Sequence, residues 1–157
     1  MLPVPRVYAD TSVFGGVFDA EFAAPSRAFF DLVRSGRFRL VVSAIVQQEI
    51  DNAPEEVQEL LAELAPLAEI VEITEEATRL RQEYLNAGIV TPRSALDALH
   101  VAQATVSGCQ LIVSWNFRHI VHYQRIPRYN AVNTLQGFPP IAIHSPAEVS
   151  SDEEEAI

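Results

Sequence analysis

Short apolar segments alternate with longer amphipathic segments along this chain, and this alternation is the feature that most limits its possible folds. Five segments have the length and composition of buried strands: Val7–Ala9, Arg39–Val42, Ile70–Ile73, Leu111–Ser114 and Ile141–Ile143. Strands that alternate with helices predict a mostly parallel sheet of about five strands with helices on both faces. In such sheets, functional residues gather at the carboxyl ends of the strands.

The segments between these strands carry apolar residues at helical spacing and have ordinary helix boundaries. Helices are expected at 25–34, 44–52, 54–64, 74–87 and 92–107. Gly15-Gly16 is typical of a turn, whereas Thr91-Pro92 is typical of a helix start. No linker or internal repeat divides the chain. We therefore expect one domain at 1–149 and an acidic, disordered tail at 150–157.

The charge of the chain is unevenly distributed. The 157 residues carry a formal net charge of −10, which argues at first against a nucleic-acid partner. However, residues 51–100 account for −8 and residues 151–157 for −4, whereas residues 101–150 carry +2. The acidity is therefore confined to a central block and the tail, and it does not exclude a nucleic acid from the rest of the surface.

Several functional classes can be set aside. The single cysteine, Cys109, excludes an intramolecular disulfide and a cysteine-rich metal site, and we expect it to be buried rather than nucleophilic. Phosphate-binding glycine loops and the serine-hydrolase motif are missing. No secretory leader precedes the first strand, and no apolar stretch approaches the about 20 residues of a membrane span. We therefore expect a cytoplasmic protein.

Three carboxylates occupy unusual positions. Asp10 directly follows the first strand, Glu49 lies in the helix after the second, and Asp97 lies among apolar residues in the helix before the fourth. Each has an ordinary explanation: Asp10 as a helix cap, Glu49 as a surface residue, and Asp97 as a partner of Arg93. Together they would instead form an acidic pocket. Carboxylate oxygens are the ligands that Mg²⁺ and Mn²⁺ prefer, and such sites hydrolyse phosphodiesters.

Four motifs at these positions resemble the PIN-domain family, and most closely the VapC-type toxins of toxin–antitoxin pairs. The motifs are VYADTSV at 7–13, the segment 42–50, LDALHVA at 96–102 and IVSWNFRHI at 112–120. Each motif alone is weak, but all four in this order are fairly specific. The resemblance covers about residues 5–149 and implies a three-layer α/β/α fold and a metal-dependent ribonuclease.

The resemblance also assigns roles to particular residues. It implies that Asp10, Glu49 and Asp97 are catalytic acids that hold one or two Mg²⁺ or Mn²⁺ ions, and that Ser12 supports them by hydrogen bonding. The fourth acidic position of many PIN domains is Asn116 here, which would position the metal or a water molecule. Because an amide coordinates more weakly than a carboxylate, this departure puts a second metal in doubt.

The segment after the fourth strand is basic. Arg118, His119 and Arg125 are possible RNA contacts, because single-stranded RNA is held by basic grooves and stacking surfaces. The alternative is an ordinary solvated loop. We expect His100 to support or pack against the site rather than to bind metal, since hard cations prefer oxygen. Trp115 is expected in the core.

The leading hypothesis is a toxin ribonuclease with an RNA substrate, an antitoxin partner, a homodimeric state and no membrane contact. A catalytically impaired RNA- or protein-binding module of the same fold is the first alternative, because of Asn116. A purely structural protein in which Arg93 pairs with Asp97 is the second. The acidic helices over 55–83 are expected to be a solvated face, with docking of an antitoxin or a second copy as the alternative.

Overall fold

The computed structural model describes residues 3–150 and confirms the predicted alternation of strands and helices. Within these residues, five strands form one sheet in the order β3-β2-β1-β4-β5, and every neighbouring pair is parallel. The strands are β1 (Arg6–Ala9), β2 (Arg39–Ser43), β3 (Ala68–Val71), β4 (Leu111–Val113) and β5 (Ala142–His144). The helices are α1 (Thr11–Gly16), α2 (Ala23–Arg34), α3 (Ala44–Asp51), α4 (Glu55–Leu64), α5 (Glu75–Asn86), α6 (Ala95–Val106), α7 (Ile126–Leu135) and α8 (Pro146–Ser150).

Strand β1 lies at the centre of the sheet and determines which residues meet at its carboxyl edge. Ala9 pairs with Val113 of β4, so the two residues that follow, Asp10 and Ser114, emerge side by side. On the other side of β1, Tyr8 pairs with Val41 of β2. Because side chains alternate between faces along a strand, Ser43, two residues after Val41, lies on the same face of the sheet as Tyr8.

The helices form two groups. Helices α1 to α4 and α8 contact one another, whereas α5 packs against α6 and α7. Helix α6 also contacts β2 and β4. The central strands are buried, and Val7, Tyr8 and Ala9 are fully inaccessible. Their near-continuous apolar sequence is what a parallel strand covered on both faces requires, which confirms the predicted α/β class.

Two local predictions differ from the structure. Strand β3 begins at Ala68 and not at Ile70, because a 3₁₀ turn at Ala65–Leu67 leads directly into it. Gly15-Gly16 closes α1 instead of forming a separate turn. A Cβ on Gly16 would lie only 2.6 Å from Ser26 Oγ, so glycine is needed there for close packing.

Helix α7, which begins at Ile126 with a proline in its first turn, lies in a stretch for which the sequence predicted no helix or strand. Cys109 is buried as predicted, and burial raises its pKa to about 12. Apart from Ser150, the predicted acidic tail lies outside the described residues. Among residues 3–150, no helix combines the length and apolar character needed to cross a membrane.

Candidate active site

Asp10 lies at the carboxyl end of the central strand, where it accepts hydrogen bonds on both of its oxygens. The backbone N–H and the hydroxyl of Ser12 donate to Oδ1 at 3.1 and 2.6 Å. The hydroxyl of Ser114 donates to Oδ2 at 2.6 Å. The side chain therefore caps α1, as the simpler explanation of Asp10 predicts. The three donors also hold the carboxylate in one orientation.

Burial makes this carboxylate electrostatically unusual, because Asp10 is only 4% exposed. Desolvation raises the pKa of Asp10, while His100 and the hydroxyls of Ser114 and Ser12 act in the opposite direction. The nearby charge of Glu49 raises the pKa of Asp10 further. Asp10 and Glu49 are therefore close enough to repel each other.

Glu49 lies on α3 and is fixed through one oxygen. Its Oε1 accepts hydrogen bonds from Thr11 Oγ1 at 2.9 Å and from His100 Nε2 at 2.8 Å. The hydrogen bond from His100 lowers the pKa of Glu49. Within residues 3–150, no hydrogen bond to Oε2 is formed, and the side chain is 38% exposed. One oxygen is therefore held while the other remains available to a ligand.

A buried chain of polar groups lies behind Glu49. His100 Nδ1 is 2.7 Å from the hydroxyl of Tyr8, which is in turn 2.8 Å from Ser43 Oγ. Tyr8 and Ser43 are fully buried and His100 is 4% exposed. Burial raises the pKa of Tyr8 far above its ordinary value, so its hydroxyl remains protonated. The expectation that His100 supports the site agrees with this geometry.

Asp97 lies in the first turn of α6 and contacts a histidine rather than an arginine. Its Oδ2 is 2.8 Å from His119 Nδ1, and His119 Nε2 is 3.4 Å from Ser94 Oγ. Among the described residues, no ion pair joins Asp97 to Arg93. The explanation of Asp97 as the partner of Arg93 is therefore wrong.

Asn116 shapes the loop that carries this histidine. Its side-chain Oδ1 accepts a hydrogen bond from the backbone N–H of His119 at 2.9 Å, and its backbone N–H donates to Ser114 Oγ at 2.9 Å. Asn116 thus links the loop to the same serine that holds Asp10. Its oxygen keeps one lone pair beyond the bond to His119.

The structure couples Asp10 and Glu49 at the carboxyl edge of the sheet but connects Asp97 to Asp10 only through the loop after β4. Asp10 and Glu49 are coupled through their charges, and both interact with His100. Asp97 lies one turn before His100 on α6 but bonds to His119. Among residues 3–150, no three His, Cys, Asp or Glu side chains are arranged so that they could hold a metal ion.

The predicted RNA contacts fall into three different environments. Arg118 is exposed, and His119 is occupied by Asp97. Arg125 Nε donates to the carbonyl oxygen of Ile89 at 3.1 Å, so this side chain also holds the loop between α5 and α6. Arg118 is thus the most accessible of the three.

Trp115 packs against the core, as expected. Its ring stacks on Phe22 with centroids 4.3 Å apart, and its Nε1–H donates to Ser26 Oγ at 2.8 Å. Its backbone N–H donates to Ser12 Oγ at 2.9 Å, which fixes the serine that bonds to Asp10. Trp115 therefore packs against the core through its ring and supports the acidic site through its backbone N–H.

Several residues that support the site carry little or no sequence signal. Ser114 could have been found only from the pairing of parallel strands β1 and β4, which places it beside Asp10. Tyr8 has the sequence context of an ordinary strand residue, and Ser43 that of a helix cap. No sequence signal predicts the hydrogen bond between their side chains. Thr11 follows Asp10 directly, yet its hydroxyl bonds to Glu49 across the site.

The fold and site define a class: a parallel α/β protein with one buried carboxylate and one partly exposed carboxylate at the carboxyl edge of its sheet. The family model of the PIN domain matches residues 7–122, so the chain belongs to the PIN-domain family. Members of this family are generally nucleases. None of the curated proteins compared with the chain matched it.

A solved structure supports the fold. The chain is similar to a chain in the crystal structure of VapBC2 from Rickettsia felis bound to a DNA fragment from their promoter. The two are 15% identical with a TM-score of 0.56, and the match covers 89% of this chain and 98% of that chain. At this identity the likeness is one of fold.

Proposed function

We propose that this protein is a divalent-cation-dependent endoribonuclease and the toxin of a type II toxin–antitoxin pair. The observation that carries the proposal is the charge of the site. Asp10 and Glu49 interact at the carboxyl edge of the sheet, and Asp97 lies on α6, one turn before His100. Within residues 3–150, no arginine forms an ion pair with any of the three. A buried carboxylate beside a second one is costly unless a cation compensates for the charge.

The donor set fits Mg²⁺ or Mn²⁺. All three proposed ligands offer carboxylate oxygens, which hard cations prefer. The lack of a closed cage among the described residues is compatible with Mg²⁺, which commonly binds through one or two carboxylates and keeps several waters until substrate phosphate arrives. Asp10 and Glu49 would hold the ion, and Asp97 would complete the site.

The residues around the three acids have definite parts in the proposed mechanism. A bound cation would activate water and neutralise negative charge on the phosphate. Ser12 and Ser114 fix the orientation of Asp10, and Thr11 fixes that of Glu49. Asn116 holds the loop next to Asp97, and its remaining lone pair can accept a hydrogen bond from a water molecule.

The proposed substrate is single-stranded RNA. Arg118 is exposed on the loop after β4 and would contact the phosphate backbone, together with Arg125 and His119. The partner would be an antitoxin protein, as in the complex named for VapBC2, and the active form a homodimer in the cytoplasm. The dimer is testable by light scattering of the purified protein.

The decisive experiment measures cleavage of a fluorescent single-stranded RNA with Mn²⁺, with EDTA, and by the variants Asp10→Asn and Asp97→Asn. We expect cleavage with Mn²⁺ only, and a loss of at least about 100-fold in Asp10→Asn, because a lost metal ligand removes the transition-state stabilisation that the metal supplies. Asp31→Asn is the control, since Asp31 is exposed on α2 and pairs with Arg34 outside the site.

Two outcomes would contradict the proposal. Cleavage that survives both EDTA and Asp10→Asn would exclude the metal mechanism. Binding of RNA without cleavage under any divalent cation would favour the alternative of an impaired binding module. The toxin role is tested separately: expression of the chain should arrest growth, Asp10→Asn should relieve the arrest, and the small protein encoded beside it should suppress the arrest.

A further inference from the structure

The buried polar chain behind Glu49 extends from the sheet to the acidic site. Ser43 comes from β2, Tyr8 from β1 and His100 from α6, and successive partners are separated by 2.8, 2.7 and 2.8 Å up to Glu49 Oε1. Polar groups buried in a core destabilise it unless all are hydrogen-bonded. Three such groups leading to one carboxylate therefore require an explanation.

Local structure does not supply this explanation. Ser43 is the residue at the N-cap of α3, yet its side chain makes no capping hydrogen bond. Its hydroxyl bonds instead to Tyr8. Capping by serine typically contributes about 1 kcal/mol, so the hydroxyl is engaged in the buried chain at the expense of a common stabilising interaction.

We propose that Tyr8, Ser43 and His100 are positioning residues that hold Oε1 of Glu49 so that Oε2 faces a divalent cation. This inference rests on the proposed function, because it takes Glu49 to be a metal ligand. Groups that hydrogen-bond to ligating carboxylates orient them, and losing such a group typically costs about 10- to 100-fold in metal affinity.

Donor and acceptor counting fixes the direction of the hydrogen bond to Glu49. Ionised Glu49 can only accept, so His100 Nε2 must donate to it. His100 Nδ1 and the hydroxyls of Tyr8 and Ser43 continue the chain, and every group in it has a partner.

The experiment compares Mn²⁺ affinity by calorimetry in the full-length wild type, His100→Asn, His100→Gln and Tyr8→Phe. The shorter asparagine amide does not reach the position of Nε2, whereas the glutamine amide does. We expect Mn²⁺ binding to weaken about 10- to 100-fold in His100→Asn, to recover largely in His100→Gln, and to weaken less than 10-fold in Tyr8→Phe. Nitrogen-15 NMR of the metal-free wild type should show His100 with a proton on Nε2.

Tyr84→Phe is the matched control. Tyr84 is also fully buried, and its hydroxyl donates to Asn133 Oδ1 away from the acidic site, so its loss should lower stability without changing Mn²⁺ affinity. Unchanged or tighter Mn²⁺ binding in a folded His100→Asn protein, or the lack of a proton on Nε2, would overturn the positioning role alone. A wild type that binds no Mn²⁺ would overturn both this inference and the proposed function.

Discussion

Replacing Ser114 by alanine tests how the buried carboxylate is stabilised. Ser114 is fully buried and its hydroxyl has two partners: it donates to Asp10 Oδ2 at 2.6 Å and accepts from the N–H of Asn116 at 2.9 Å. The substitution removes both hydrogen bonds and little volume. Its effect on the free energy of unfolding therefore reports mainly on hydrogen bonding.

The expected loss follows from these two contacts. A hydrogen bond to a charged group contributes about 1.5–3 kcal/mol, and a neutral one about 1 kcal/mol. Together they predict that Ser114→Ala lowers the free energy of unfolding by about 2.5–4 kcal/mol. For a domain of this size, that corresponds to a decrease in Tm of roughly 5–15 °C. The decrease is measurable by circular dichroism during thermal unfolding at neutral pH.

Ser26→Ala provides the matched comparison. Ser26 is also fully buried, but it accepts a neutral hydrogen bond from Trp115 Nε1–H, so its loss should be about 1 kcal/mol. A loss in Ser114→Ala no larger than that in Ser26→Ala would refute the reasoning that the charge of Asp10 strengthens the bond. The difference should also disappear in an Asp10→Ala background, because the charged acceptor is then absent.

Three further predictions concern packing, pH and the site loop. Gly16→Ala should destabilise the protein by about 1–3 kcal/mol in urea unfolding, because the new Cβ would lie 2.7 Å from Trp115 Nε1; an unchanged midpoint would contradict this. The hydrogen bond from Arg6 lowers the pKa of Glu69, so their ion pair should stabilise by less than about 1 kcal/mol above the unfolded carboxyl pKa. This contribution should vanish as the pH falls through the folded pKa, and a Glu69→Gln difference that persists in acid would be inconsistent with it. Asn116→Ala should lower the free energy of unfolding by about 1 kcal/mol, because the hydrogen bond from the backbone N–H of His119 is lost. Asn116→Asp should keep this contact and bind Mn²⁺ more tightly than the wild type. Equal Mn²⁺ affinity in the two proteins would argue against a position of residue 116 near the cation.

The strand pattern predicted the sheet and the edge that carries the site, because apolar segments and parallel topology are local and general properties. Asp10 could be identified since it interrupts the pattern directly after a buried strand. Asp97 could be identified because a charge among apolar helix neighbours needs a partner. The identity of that partner could not be predicted, since His119 is distant in sequence and reaches Asp97 only through the loop after β4.

The buried side chains that hold Glu49 could not be predicted from the sequence either. Tyr8 in an apolar strand predicts a core residue, and Ser43 before a helix predicts a cap, and both predictions describe their positions correctly. What they omit is that the two side chains share one face of the sheet with His100 above them. This arrangement depends on the register of β1 against β2 and on the placement of α6, which are tertiary properties.

Asp10 and Glu49 are held differently from Asp97, and this difference predicts which substitution weakens Mn²⁺ binding more. Asp10 and Glu49 are fixed by buried groups from the sheet and α6, and Glu49 keeps an oxygen open. Asp97 is bonded through Oδ2 to His119, whose side chain is 24% exposed and lies on the loop after β4, so the position of Asp97 depends on that loop. A ligand held by a loop must be ordered when the ion binds, and this ordering offsets part of what a third ligand adds. Asp10→Asn should therefore weaken Mn²⁺ binding more than Asp97→Asn in calorimetry, and the reverse order would show that Asp97 belongs to the primary ligand set.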